Sequence, residues 1–330
     1  MTLDAVAKKA RVSTATVSRV LNNLGVVKDS TRRRVLQAVE ELNYYPNLHA
    51  RSLAGGRTRT LGVIVSNLCN PFFVDIFLGM DTAARDANFE VLVEHTDYRP
   101  HLLVESVRSM IGRRVAGLAL IVSEMDREVM REVINSNIPV VFYDVGSPGE
   151  RITNIRVRYE IGMQRMVQYL YALGHRKMAF LGHHASLAPL ETRKQSFLES
   201  IAQFGPEVQH RTVLNNDTPA GAMQAVHELY ASGFQPDAIV CVNDYMAIGA
   251  MRAVRSRGLS VPGDVSITGF DNIEFSEFTN PALTTVNIPR GSIGEMAVRA
   301  LLQDDQDSSG REIIIEPELV LRDSTGPCRP

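Results

Sequence analysis

At 330 residues the chain is too long for one small domain and suits two or three. A hydrophobic content of 45% with 22% charged residues reads as globular and soluble, and the longest apolar runs, 118–122 and 313–315, fall far short of the ~20 residues a bilayer span needs. Net charge is −2, but residues 1–60 carry eleven Lys or Arg against four Asp or Glu, +7, and the remainder 24 against 33, −9. A small basic head on an acidic body suits a nucleic-acid reader whose head is drawn to phosphates while the body is repelled.

The first stretch, LDAVAKKARVSTATVSRVLN at 3–22, carries the sharpest pattern. Leu3, Val6, Ala7 and Ala10, then Val17, Val20 and Leu21, recur three and four apart, so each half reads as a short amphipathic helix. Between them Arg11, Val12 and Ser13 make a turn; Ser13 can cap the second helix, and Val12 can fill the angle between the two. That is a helix-turn-helix. Off the apolar stripe of the second helix stand Thr14, Ala15, Thr16, Ser18 and Arg19, the small, hydroxyl and guanidinium side chains that a helix lying in a major groove requires. A third helix follows over 30–42 with Ser30 and Thr31 as capping candidates and Val35, Leu36, Val39 and Leu42 as its buried stripe. Arg32, Arg33 and Arg34 lie off that stripe, either touching phosphate or simply solvated.

Residues 47–54 (NLHARSLA) permit helix but are too short to be stable alone, and a Gly-rich basic linker follows. Such a segment folds when a surface is supplied. Leu53 is either a wedge for a minor groove or a leucine packed on its own domain.

From residue 61 onward short apolar strands alternate with amphipathic helices: strands at 61–66, 90–95, 117–122 and 139–144, then at 177–182, 211–214, 238–243 and 265–270. This predicts two parallel, doubly wound α/β lobes. Strand carboxyl ends, where ligands gather in such sheets, offer Ser66, Asn67, Ser123, Asp144, Asn243, Asp244 and Asp271, a polar set suited to a hydroxylated or amide-bearing molecule. Asp244 and Asn70 also fit as helix caps, and Phe72 and Phe73 as core residues. The three cysteines Cys69, Cys241 and Cys328 have neither CxxC nor metal-ligand spacing, and no basic-then-apolar leader opens the chain; a reducing cytoplasm and no metal or cofactor are expected. GxSxG, Walker, GxGxxG and HExxH motifs are absent, so no catalytic residues are assigned and an enzyme is not expected. His183 and His184, being adjacent, are not expected to point together from a strand, and read as loop residues.

The ordered motifs LDAVAKKARVSTATVSRVLN, ELNYYPN, ARSLA, GVIVSNLCNPFF, VAGLALI, LGHRKMAFLG, VNDYMAIGAMRAVRSRGLSVPGDVSITGFDN and PALTTV resemble, over nearly the whole chain, the lactose-repressor (LacI/GalR) family of bacterial transcription regulators. The resemblance implies a helix-turn-helix head at 1–46, a hinge helix and linker at 47–60, and a periplasmic-binding-protein-like body at 61–330, with one lobe over about 61–159 and 289–316 and the other over about 160–288 and 317–330. It implies that Thr14, Ala15 and Arg19 face base edges with Ser13, Thr16 and Ser18 near phosphates, that Asn47, Arg51 and Leu53 serve the hinge, and that Leu53 wedges into the minor groove. Arg11 departs from the Gly or Asn frequent in the family's turn. Arg193 and Asp271 match the family's effector-gripping pair, and Asp144 and Asn243 match further pocket positions, with Phe72 and Phe73 nearby. Asn216 stands where several members carry a stacking ring. The implied function is a repressor that binds a palindromic operator in duplex DNA as a homodimer and answers to a small-molecule effector, a sugar or related metabolite. Alternatives are a cytoplasmic small-molecule-binding protein or α/β enzyme, and a regulator controlled by a protein co-factor.

Overall fold

The computed structural model describes residues 2–21, 25, 27–44, 58–185, 187–303 and 310–329. It divides into two units, 1–58 and 59–330.

The first unit holds α1 (Leu3–Ala10), α2 (Thr14–Leu21) and α3 (Asp29–Glu41). Thr2 caps α1 by accepting from the Ala5 amide. The helix ends at Arg11, whose φ of 53° and ψ of 50° are left-handed, the geometry that releases the chain into the turn. Ser13 Oγ then accepts from Thr16 N at 3.2 Å and starts α2, as its position suggests. Val6, Ala7, Ala10, Val17, Val20, Val35 and Ala38 form the small core, with Val12 packed on it between the helices. Two expectations for α3 fail. Lys28, not Ser30 or Thr31, occupies the cap and makes no side-chain bond, and Leu36 is 47% exposed. The buried face runs instead through 35, 38, 39 and 42; position 36 lies outside that spacing.

The second unit continues with β1 (Thr60–Val65), α4 (Pro71–Asp86), β2 (Glu90–His95), α5 (Pro100–Gly112), β3 (Gly117–Ile121), α6 (Arg127–Ser136), β4 (Val140–Tyr143), β5 (Ile152–Val157), α7 (Tyr159–Ala172), β6 (Lys177–His183), α8 (Ala188–Ala202), β7 (Gln209–Asn215), α9 (Pro219–Ala231), β8 (Ala238–Cys241), α10 (Asp244–Ser256), β9 (Ser266–Thr268), α11 (Phe275–Phe278), β10 (Thr285–Asn287), α12 (Arg290–Leu301), β11 (Arg311–Ile315) and β12 (Glu318–Val320). One sheet has the order β11-β5-β4-β3-β1-β2 and the other β7-β6-β8-β9, with all neighbours parallel; β10 and β12 pair antiparallel beside them. This is the doubly wound α/β body expected. Strands β5, β10, β11 and β12 are additions to the sequence reading. They are short or partly exposed, and β5 follows β4 with no helix between, so the strand-helix rhythm does not announce them.

Period-2 alternation explains why the first sheet is covered on both faces. Val63, Val65, Ala119, Ile121 and Val141 pack toward one core, while Ile64, Leu118, Leu120, Val140 and Phe142 pack toward the other, against Leu103, Val107 and Met110 of α5 and Val129 and Val133 of α6. On the first of these faces α12 lies backbone to backbone on α4: a Cβ on Gly79 would stand 2.4 Å from Gly291 O, and one on Gly294 2.4 Å from Ile76 O. Only glycine permits that approach. The chain passes from the first sheet to the second at 158, back at 288–289, and across again at 316–317.

Candidate functional site

In the head, Ser13, Thr14, Ala15 and Arg19 are exposed and Thr16 and Ser18 half-buried, while Val17 and Val20 of the same helix are buried. The outward face of α2 is therefore the polar one. Two hydroxyls expected near phosphate are already engaged: Ser13 Oγ and Thr16 Oγ1 lie 3.0 Å apart. Arg32, Arg33 and Arg34 are exposed on α3, and Lys9 pairs with Glu41 at 2.5 Å to tie α1 to α3. Asn47, Arg51 and Leu53 lie outside the described residues.

In the body, strand order reverses direction between β1 and β3 in one sheet and between β6 and β8 in the other, the places where open α/β sheets present ligands. At the first, Ser66 Oγ donates to Glu124 Oε2 at 2.6 Å and accepts from Ser123 N at 2.8 Å, and Thr96 donates to the other oxygen of Glu124. Asn67 Oδ1 accepts from Cys69 N at 2.7 Å. Beyond it Asn70 caps α4 through Phe72 N, with Pro71 in the first turn. Phe72 and Phe73 are both buried in the core; their rings meet Tyr143 and Tyr98 at 5.8 and 6.5 Å respectively.

At the second reversal Arg193, on α8, is 3% exposed. Nη1 donates to Val242 O at the end of β8, 2.8 Å away, and the guanidinium lies 4.4 Å from the ring centroids of both Tyr159 and Phe270. Asp271 Oδ1 sits 3.0 Å from Arg193 Nη2 as an ion pair. Arg193 Nε and Asp271 Oδ1 are buried without hydrogen-bond partners among the described residues. Burial pushes the Asp271 carboxyl up to about 6 against the pull of Arg193 and Arg290. Burial works to lower the Arg193 value, but Asp271 and the two tyrosines outweigh it and the net shift is upward. The pair stays ionised.

Asp144, at the end of β4, completes the cluster. Its Oδ1 accepts from Val157 N at 2.7 Å and its Oδ2 from Tyr159 OH at 2.5 Å, and Tyr159 OH is 3.0 Å from Tyr143 OH. Burial lifts the Asp144 carboxyl to about 6, opposed by these bonds and by Arg193. Asp144 and Asp271 have φ of 62° and 109°, a conformation non-glycine residues hold only where surroundings impose it.

The remaining expected positions divide. Asn243 caps α10 by accepting from Met246 N at 2.8 Å, so the cap is Asn243 rather than Asp244. Asp244 is wholly buried and accepts from Ile273 N, Ser276 Oγ and Thr285 Oγ1; burial and the neighbouring Asp271 carboxylate raise it to about 7. Asn216 is exposed. His183 and His184 do not diverge as adjacency suggests: their rings stack at 4.7 Å, because β6 ends at His183 and its pleat no longer governs His184.

Several contacts across the two sheets have no signature in sequence. Tyr98 OH, from the loop after β2, donates to Asp217 Oδ2 after β7 at 2.6 Å, and its ring lies 5.5 Å from that of His183. Arg290, opening α12, donates from Nε to Asp75 Oδ2 of α4 at 2.8 Å and from Nη1 to the backbone oxygen of Asp271.

The bacterial regulatory proteins of the lacI family match residues 2–47, and the periplasmic binding protein-like domain matches residues 167–325. The chain is 32% identical to the HTH-type transcriptional repressor PurR of Aliivibrio fischeri (strain MJ11) over 98% of both proteins. The chain belongs to the lacI family of bacterial regulatory proteins. Among solved structures of the family, the Lac repressor dimer bound to operator and the anti-inducer ONPF is 29% identical with a TM-score of 0.84, covering 99% of both chains. The CelR–cellobiose complex is 26% identical with a TM-score of 0.71, covering 98% of this chain and 99% of that one. The protein thus joins the family's helix-turn-helix DNA-binding head to its effector-binding body. Among the described residues no helix is long and apolar enough to cross a membrane.

Proposed function

We propose that this lacI-family protein is a cytoplasmic repressor that binds a palindromic operator as a homodimer and is switched by a small metabolite, a sugar or related molecule, held between the two sheets. The observation that carries the effector assignment is the buried Arg193–Asp271 ion pair, Nη2 to Oδ1 3.0 Å, in which Arg193 Nε and Asp271 Oδ1 have no hydrogen-bond partner among the described residues. An unmet buried polar group costs about 1–3 kcal/mol. A ligand hydroxyl that accepts from Arg193 Nε or donates to Asp271 Oδ1 removes that penalty. Asp144, Asn243, Phe72 and Phe73 are assigned to the same pocket.

On the DNA side, Thr14, Ala15 and Arg19 read base edges, Ser13, Thr16 and Ser18 meet phosphates, and Asn47, Arg51 and Leu53 act at the hinge. An Arg19–guanine pair contributes about 1–3 kcal/mol of discrimination. The domain limits follow the same division: head to about 46, hinge and linker to about 60, effector domain beyond. The protein is read as a regulator rather than an enzyme, in keeping with the repressors it resembles.

Thermal-shift screening of sugars, sugar acids and nucleobases identifies the effector, because a bound ligand at a hundredfold excess over Kd stabilises by about 2.7 kcal/mol. With that effector, Arg193→Ala should lose calorimetric binding and keep operator binding by gel shift; normal ligand binding by the variant removes Arg193 from the pocket. Leu53→Ala should weaken specific operator binding and spare the fold. Unchanged operator affinity removes the wedge.

A further inference from the structure

His175, Asp237 and Cys328 are scattered in sequence, yet the fold brings their donor atoms within 4.8 Å of one another. His175 precedes β6 and Asp237 precedes β8, adjacent parallel strands, so both stand at the amino ends of the sheet, opposite the effector cluster. Cys328 arrives on the carboxyl-terminal segment, which is held down by Cys328 N donating to Leu173 O at 2.8 Å and Gly326 N donating to Ser266 Oγ at 3.1 Å.

The hydrogen bonding of His175 and Asp237 leaves one donor atom of each facing the other, while Cys328 Sγ donates to Arg329 O at 3.4 Å, a bond it gives up to turn inward. His175 Nε2 is 3.1 Å from Gly326 O. A carbonyl only accepts, so Nε2 carries a proton and Nδ1 is the ring nitrogen placed to ligate; a backbone carbonyl behind the ring is the support metal-binding histidines use. Asp237 Oδ2 accepts from Arg176 N and Lys177 N, each at 2.9 Å, which leaves Oδ1 facing the ring. Nδ1 and Oδ1 are 3.3 Å apart, yet neither has a well-aligned hydrogen-bond partner among the described residues, and His175 is only 2% exposed.

We propose that His175 Nδ1, Asp237 Oδ1 and Cys328 Sγ bind one zinc-type divalent cation that fastens the carboxyl-terminal segment to the second sheet. A tetrahedral zinc ion with bonds of about 2.0–2.3 Å separates its ligands by roughly 3.3–3.8 Å. The His–Asp pair already stands close to that spacing, and Cys328 closes the remaining distance by side-chain rotation. The mixed nitrogen, oxygen and thiolate set favours zinc or cobalt over magnesium or calcium. Binding releases the Cys328 thiol proton to solvent, and water fills the fourth position.

The test uses the full-length protein without a polyhistidine tag, stripped of metal and reduced, and titrates it with Co2+. Wild type and Cys69→Ser should develop a thiolate-to-cobalt charge-transfer band that saturates at one ion per chain and is bleached by Zn2+. Cys328→Ser, with an unchanged circular dichroism spectrum, should show no such band, and its Zn2+ affinity should fall by about tenfold or more. Zn2+ should also raise the melting temperature of wild type more than that of Cys328→Ser. Absence of the band in wild type, its persistence in Cys328→Ser, or equal zinc-induced melting shifts in both overturns the proposal in favour of a simple His–Asp contact.

Discussion

Asp144 and Asp271 combine burial, ionisable carboxyls and left-handed backbone at neighbouring points of the body, and this has a measurable pH signature. Asp144 is raised to about 6 in the folded protein from an unfolded value near 3.9. The native state therefore holds its proton more tightly, and stability falls as pH rises through about 6 and is regained toward the unfolded value. Asp144→Asn, which removes this carboxyl, should gain stability relative to wild type by about 1 kcal/mol more at pH 8 than at pH 5. Denaturant melts at the two values check this, and a pH-independent difference refutes it. Arg193 and Asp271 were legible because their flanking motifs, ETRKQSF and GFDN, resemble a known family. Tyr98, Asp217 and Arg290 were not: their partners lie 119, 119 and 215 positions away in the chain, and no local pattern encodes such pairs.

Helices and strands were read to different depths. The three head helices follow from apolar spacing and the Ser13 cap, but Leu36 shows where spacing misleads, since positions 35 and 36 of a helix cannot both face a narrow core. Val35→Ala should cost about 2 kcal/mol of head stability, and Leu36→Gln less than about 0.5; thermal unfolding of the two variants separates them. The strands that were read, such as 117–122, are apolar and flanked by helices. β11, with Glu312 and an exposed Ile314, sits at a sheet edge where burial does not discipline the sequence, whereas β5 lies inside the sheet and escapes the pattern because polar Thr153, Asn154 and Arg156 interrupt its apolar run. Arg11 presents the opposite lesson, a residue conspicuous in sequence whose left-handed conformation costs about 1–2 kcal/mol. Arg11→Gly should stabilise the head by about 0.5–1 kcal/mol, the relief being partly offset by the greater freedom of glycine in the unfolded chain. A lowered melting temperature would contradict this.

At the scale of the whole molecule the sign change in charge near residue 60 was the plainest message in the sequence, and it forecasts a salt law. Log K for operator should fall by about 0.9 per phosphate neutralised for each tenfold rise in salt; a titration showing flat affinity would set the basic head aside. The contact between the sheets makes a second forecast. Tyr98→Phe deletes the bond to Asp217 and should weaken effector binding about tenfold, consistent with a charged hydrogen bond; calorimetry giving equal affinities would show that this bond does not favour the liganded state. The glycine-lined seam between α4 and α12 sets how such a signal can spread. The backbones touch at Gly79 and Gly294 and are flanked by the buried Ile76, Met80 and Ile293, a fit that resists sliding and favours travel as a single rod. Arg290 hooks that rod to the Asp271 carbonyl at one end of its span and to Asp75 within it, so a ligand seated at Asp271, as proposed above, would pull on a whole slab of the first lobe rather than on one loop.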